Sequence, residues 1–109
     1  MTVRRGDVVV VAIPGSYSKP RPAVVVQSDL FDEHPSVTIL PITSHYRDAP
    51  IFRLGVFLDD RNGLEKPSQI MVDKILTVPR EKVGRVIGRL DDRTMVEINR
   101  ALAVFLGMD

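Results

Sequence analysis

Lys19-Pro20-Arg21-Pro22-Ala23-Val24-Val25-Val26-Gln27 sets a cation between two prolines, immediately ahead of an apolar β-branched run. Each proline fixes its own φ and biases the residue before it toward extended geometry. Lys19 and Arg21 are therefore expected on a stiff, extended lead-in to a buried strand. A guanidinium held there keeps its charge at any useful pH and presents a planar fork to an anion. The companion stretch is Ile39-Leu40-Pro41-Ile42-Thr43-Ser44-His45, an apolar strand that ends in hydroxyls and an imidazole. An arginine at the mouth of one strand and hydroxyls at the end of the next can hold a phosphate together. The plainer alternative is a structural surface arginine beside ordinary turn residues.

Working outward, Val8 to Ile13 is dense in β-branched residues and reads as a strand buried on both faces. Pro14-Gly15-Ser16-Tyr17-Ser18 is turn chemistry. Ser28 to Pro35 is acidic and stopped by proline, with room for at most one helical turn. Ser36 to Ile42 is the third strand, and Pro41 suggests an edge or a bulge. Ile51 to Leu58 follows as a fourth, with Arg53 in its polar phase. Asp59-Asp60-Arg61-Asn62-Gly63 is a turn. Ser68 to Val78 reads as one long fifth strand, with Ile70, Val72, Lys74, Leu76 and Val78 on the core-facing phase. Pro79 to Lys82 makes a single turn, and Val83 to Leu90 a last strand in which Gly84 and Gly88 permit a bulge.

From Asp91 the period changes. Asp91 is a good N-cap, Asp92 suits the positive helix end, and Met95, Ile98, Ala101, Leu102 and Phe105 recur at helical spacing before Gly107. Short strands, tight turns and one amphipathic C-terminal helix predict a mainly β domain, a small antiparallel barrel spanning residues 1–109.

The bulk properties narrow the function. A chain of 109 residues with 44% apolar content supports one modest core. A net charge of +1 gives no general case for a nucleic-acid partner, so any basic patch is local. With no cysteine, disulfides and thiolate metal sites are excluded, and His34 and His45 are not at ligand spacing, so no metal or other cofactor is expected. No signal peptide is apparent and no apolar run is long enough to cross a membrane, so a soluble cytoplasmic protein is expected.

Taken in order, these segments resemble the MazF/PemK family of toxin–antitoxin ribonucleases. The matching pieces are Arg5-Gly6-Asp7-Val8, Arg21-Pro22-Ala23-Val24-Val25-Val26, Pro41-Ile42-Thr43-Ser44, the run from Pro67 to Val78, and Gly88-Arg89-Leu90-Asp91. The resemblance implies an SH3-like barrel, a homodimer, metal-independent cleavage of single-stranded RNA at short sequences, inhibition by a cognate antitoxin, and DNA binding in company with that antitoxin. Arg21 matches the family's essential arginine and Thr43 its essential hydroxyl. The loop before Arg21 is shorter than in many members. Pro67 stands for a frequent acidic residue and Lys74 for a frequent glutamine, which bears on the RNA sequence preference.

RNA cleaves when its 2′-hydroxyl attacks the adjacent phosphorus, a step that needs charge stabilisation, a base and an acid. Arg21 suits the first task. Thr43 and Ser44 can donate hydrogen bonds but cannot be bases at neutral pH. His45 is the nearby side chain that ordinarily titrates near neutrality, and is either a base or a solvated loop histidine. Tyr17 either stacks on a base or covers the barrel end. Lys19, Ser44, Arg53 and Ser68 complete the candidate RNA contacts; His34 has no assigned role. The stripe from Met95 to Phe105 is core or dimer contact, and Arg80, Lys82, Arg85, Arg89 and Arg93 form a solvated face. Two other classes compete. A gyrase poison of the same fold depends on a C-terminal Trp-Gly-Ile, whereas this chain has no tryptophan. A non-catalytic SH3-like module needs an aromatic groove, for which two tyrosines and four phenylalanines are meagre material.

Overall fold

A computed structural model of the chain describes residues 2–13 and 19–108. Seven strands and one helix run in the order β1 (Asp7–Ala12), β2 (Pro20–Val25), β3 (Ser36–Thr43), β4 (Arg53–Val56), β5 (Ser68–Met71), β6 (Leu76–Pro79), β7 (Val83–Arg89) and α1 (Asp92–Phe105). All pairings are antiparallel, in the order β4-β5-β3-β2-β1-β7, with β6 also on β3. This is the expected mainly β, barrel-like architecture with a C-terminal helix.

Strand alternation splits the core by residue parity. Val8, Val24, Leu40, Ile42, Ile70 and Val72 point to one side, where Ile98 and Leu102 of α1 close over them. Val9, Val11, Ala23, Val25, Val37 and Ile39 point to the other side and meet Val78 and Val3. Both sets are buried, which is why β1, β2 and β3 read as continuous apolar runs rather than alternating ones.

β3 is the hub. Ser36 to Ile39 pairs with β6, whereas Ile42 and Thr43 pair with β5. Pro41 is therefore neither at a sheet edge nor in a bulge, as its sequence suggests; it is buried in the middle of the most heavily paired strand. The Thr38 carbonyl accepts from the Val26 N–H on the β2 side. Alternation turns position 41 the other way, toward the gap where β6 hands over to β5. No ladder donor is required there, so proline fits.

The predicted fifth strand from Ser68 to Val78 is not continuous. A 3-10 turn at Val72–Lys74 separates β5 from β6, because the two halves pair with different parts of β3. Ile75, on the polar phase of a continuous strand, instead packs against the helix-side core. The fourth strand is also shorter than Ile51 to Leu58, and Phe57 lies outside it, exposed.

Other local signals match their sequence. The Asp91 carboxylate accepts from the Thr94 N–H at 2.8 Å, and hydrogen bonding from the Thr94 hydroxyl first and this N–H second holds the Asp91 carboxyl below its ordinary value. The helix ends where Met108 N–H donates to the Ala103 carbonyl and Gly107 N–H to Val104, with Gly107 at φ +73°. The β1–β7 register shifts twice, each time with an extra residue on β7, the strand carrying Gly84 and Gly88.

Two of the sequence motifs prove to be structural. Arg5-Gly6-Asp7-Val8 and Gly88-Arg89-Leu90-Asp91 meet as β1 pairs with β7. There the Arg89 guanidinium contacts Asp7 Oδ1 at 3.0 Å, Leu90 N–H donates to the Gly6 carbonyl, and Gly6 N–H donates to Val25. Gly6 holds φ +95°, with the Arg89 guanidinium 3.3 Å from where a Cβ would sit. Together they close one end of the barrel. No helix of the chain is long and apolar enough to cross a membrane among the described residues.

Candidate functional site

At the opposite end of β1 from the Asp7–Arg89 pair, Val11 lies across the ladder from Arg21. β2 and β3 pair as Ala23 with Pro41, Val24 with Leu40 and Val25 with Ile39. Continuing that register by two residues sets Arg21 opposite Thr43, on the same face of the sheet. Thr43 in turn pairs with Gln69 of β5. The β1–β2 and β3–β5 pairings thus carry the expected arginine and hydroxyl to the same end of the sheet.

Both line a cleft of about 800 Å³, with Ser44, His45, Ser68, Leu64, Glu65, Lys66 and Lys74 among its other walls. A volume of this size lies toward the upper end of ordinary ligand pockets, roughly 300–1,000 Å³. Arg21, Lys66 and Lys74 bring positive charge to the lining and Glu65 brings the negative. The cleft is locally basic although the chain is nearly neutral.

Thr43 is held for donation. Its Oγ1 accepts from the His45 N–H at 3.0 Å, so the hydroxyl proton is left for a partner in the cleft. The Gln69 amide clamps the same loop farther on. Its Oε1 accepts from the Arg47 N–H and its Nε2 donates to the Arg47 carbonyl, both at 2.9 Å. Gln69 is buried; its amide fixes one end of the segment that carries Ser44 and His45, and Thr43 Oγ1 fixes the other.

The opposite wall, Gly63 to Lys66, is rigid for a separate reason. Asp59 Oδ1 accepts from the N–H groups of Arg61 and Asn62, while Asn62 Nδ2 donates to Phe57 and its Oδ1 accepts from Leu64 N–H. Asn62 is only 1% exposed, and Gly63 and Gly88 let this loop and β7 approach so closely that a Cβ on either would fall within 2.4 Å of backbone.

The other expected residues fall out unevenly. Ser68 lines the cleft, with its hydroxyl donated to the Lys66 carbonyl at 2.7 Å. Lys19 is exposed immediately before β2 and is not among the lining residues. Tyr17 lies outside the described residues. Arg53 is not a cleft residue. It keeps the strand phase opposite Leu54 and Val56, but its side chain is 6% exposed and pairs through Nε with Asp73 Oδ1 at 3.3 Å. A carboxylate from the 3-10 turn covers it, which the phase of β4 alone does not reveal.

Sequence reading missed Lys66, Glu65, Gln69 and the cleft position of Lys74. A signal existed for Lys74: a lysine in the apolar phase of a strand is a conflict that only a break resolves. Nothing local marks Gln69, since its partner is 22 residues away. Among the described residues, no three His, Cys, Asp or Glu side chains gather closely enough to hold a metal ion.

Comparison with known proteins identifies the family and agrees with the fold. The model of a family described as PemK-like, MazF-like toxin of type II toxin-antitoxin system matches residues 4–106. The probable endoribonuclease MazF of Mycolicibacterium smegmatis is 43% identical over 107 residues, covering 97% of this chain and 98% of the relative. Endoribonuclease EndoA of Bacillus subtilis is 26% identical, covering 99% and 97%. Among solved structures, a mycobacterial endoribonuclease in complex with its cognate antitoxin superposes with a TM-score of 0.82 at 25% identity, covering 98% and 97%. The Mycobacterium tuberculosis toxin MazF-mt6 gives 0.81 at 26% identity, covering 94% and 98%. With a family match from Arg4 to Leu106 and a relative aligned over nearly the whole of both chains, this chain belongs to the PemK/MazF family of type II toxin–antitoxin toxins.

Proposed function

We propose that this PemK/MazF toxin is a metal-independent, sequence-specific endoribonuclease that cuts single-stranded RNA by attack of the 2′-hydroxyl on the adjacent phosphorus. The observation that carries the mechanism is that Arg21 and Thr43, from neighbouring strands, line the same basic cleft. As the 2′-oxygen bonds to phosphorus and the bond to the 5′-oxygen breaks, negative charge builds on the non-bridging oxygens. Arg21 faces that charge with two parallel donors, and Thr43 adds its hydroxyl proton. The proton of the 2′-hydroxyl leaves to a base, and the 5′-oxygen takes one from an acid. The products are a 2′,3′-cyclic phosphate and a 5′-hydroxyl. His45, on the same wall, is the proposed proton carrier.

The same reading includes a homodimer and a cognate antitoxin, acting in the cytoplasm. Val96, Val104 and Phe105 leave α1 with exposed apolar side chains, and β4 and β7 end the strand order with open edges. A partly disordered, acidic antitoxin segment laid over Arg21, Thr43, Ser44 and His45 would compete with RNA. The decisive experiment incubates the pure protein with a long RNA in chelator and maps the ends. Specific cuts with cyclic phosphate termini support the mechanism. No cleavage, or 3′-hydroxyl ends, overturns it. A monomer with full activity at micromolar concentration removes the dimer, and an antitoxin complex that leaves RNA binding intact removes the overlap.

A further inference from the structure

A continuous strand from Ser68 to Val78 would align Lys74 with Ile70 and Val72, both fully buried. An ammonium there would lie unpaired in the core, which burial of a charge strongly disfavours. The 3-10 turn at Val72–Lys74 removes the conflict: Ile75 takes the place against the helix-side core, and Lys74 emerges exposed on the cleft wall. Its neighbour Asp73 does not neutralise it, because that carboxylate is taken by Arg53 at 3.3 Å. Neither of the two salt bridges among the described residues involves Lys74.

We propose that Lys74 is a second anion-binding point of the cleft, where its ammonium takes the phosphate of an RNA linkage next to the one on which Arg21 and Thr43 act. The inference rests on the RNA-cleaving reading above and adds to it a binding residue from a separate element. Arg21 enters from β2 and Lys74 from beyond β5, with β3 between those strands. Cations so placed serve successive linkages rather than one phosphorus. The cleft, at about 800 Å³, holds far more than a single phosphate. A lysine ammonium is a compact, hydrated point charge on a flexible stem, suited to a phosphate oxygen and indifferent to base identity. Every linkage of a single strand supplies one. Lys74 therefore strengthens ground-state binding, whereas Arg21 acts on the transition state.

The test uses an RNA made uncleavable by a 2′-deoxy nucleotide at a mapped cut site, bound over a range of salt concentrations. Lys74→Ala and Lys74→Gln should weaken binding and flatten the slope of log K against log salt by about 0.7, the increment for one phosphate contact on a single strand. Lys74→Arg should restore the slope. The exposed Lys82, outside the cleft, supplies the control: Lys82→Ala should bind as wild type. A neutral methylphosphonate placed at each linkage in turn should weaken wild-type binding at one linkage beside the cut, and Lys74→Ala should be insensitive to that same replacement. If wild type cuts RNA but Lys74→Ala keeps the slope, or remains as sensitive to that linkage as wild type, the phosphate contact is wrong and the functional reading stands. If Lys74→Ala keeps its affinity but redirects the cut sites, Lys74 reads a base and the inference is overturned. If wild type neither binds nor cuts RNA, both fall together.

Discussion

Arg21 and Arg89 flank β1 from opposite sides and at opposite ends. Arg89, on β7, lies across the ladder from Asp7 and gives its guanidinium to that carboxylate at 3.0 Å. Arg21, on β2, lies across from Val11 and lines the cleft with Thr43, and neither salt bridge among the described residues involves it. The same residue type in the same sheet is consumed by structure at one end and, on the proposed mechanism, meets the substrate at the other. Arg53 repeats the first case with Asp73. On that mechanism a cation becomes functional by the absence of an acid facing it, which its place in the sheet decides.

The sharpest break of the comparison is Arg21→Ala against Arg89→Ala. Arg21→Ala should lower the single-turnover rate of bound RNA about 100-fold or more, the scale of losing one preorganised oxyanion donor. The loss in RNA affinity should be smaller, because the charge it meets grows in the transition state. Arg21→Lys should recover little without the planar fork. If Arg21→Ala weakens binding and leaves the rate of bound RNA intact, Arg21 is an anchor and the mechanism fails. Thr43→Ala should follow, at up to about 100-fold, with Thr43→Ser milder because the hydroxyl is retained. A Thr43→Ser variant as slow as Thr43→Ala would show that the methyl group, not the hydroxyl, matters.

Arg53→Ala tests the structural arm. It leaves the mostly buried Asp73 carboxylate without its partner and should cost about 3 kcal/mol in denaturant unfolding. The folded fraction should still bind RNA like wild type, a direct check on the sequence expectation that Arg53 contacts RNA. Arg89→Ala should cost less, up to about 1 kcal/mol, since half of the Arg89 side chain is already in water. Were Arg89→Ala to slow cleavage as much as Arg21→Ala, the division between the two ends of β1 would be lost.

The smallest effect concerns the helix that closes one core. Thr94 donates to the Asp91 carboxylate and holds its pKa below the ordinary value. A carboxyl depressed on folding contributes stability above its unfolded pKa and loses it as pH falls through the folded one. Asp91→Ala should therefore lower the melting temperature modestly at neutral pH, and the difference from wild type should shrink in acid. Asp91→Asn, which still caps, should retain most of the neutral-pH stability and remove the acid dependence.

The amino-acid sequence by itself determined the elements that depend on near neighbours. The β-branched runs of β1 and β2, the period switch at Asp91 with its cap and its Gly107 stop, and the proline-stiffened Arg21 all arise from rules acting over a few residues. The ordered set of segments also carried the family resemblance, and with it Arg21 and Thr43. Tertiary structure decided the rest. Whether the segment from Ser68 to Val78 is one strand or two depends on β3 having two partners on one side. Whether Arg53 is solvated depends on Asp73, 20 residues away. The Gln69 clamp on Arg47 and the packing of Gly63 against β7 are likewise long-range. Periodicity reports which face of its own element a side chain takes, and the neighbour waiting on that face is set by chain closure. Lys74 shows both levels at once: its place in an apolar phase announced a conflict, and only the fold resolved it by turning the ammonium into the cleft.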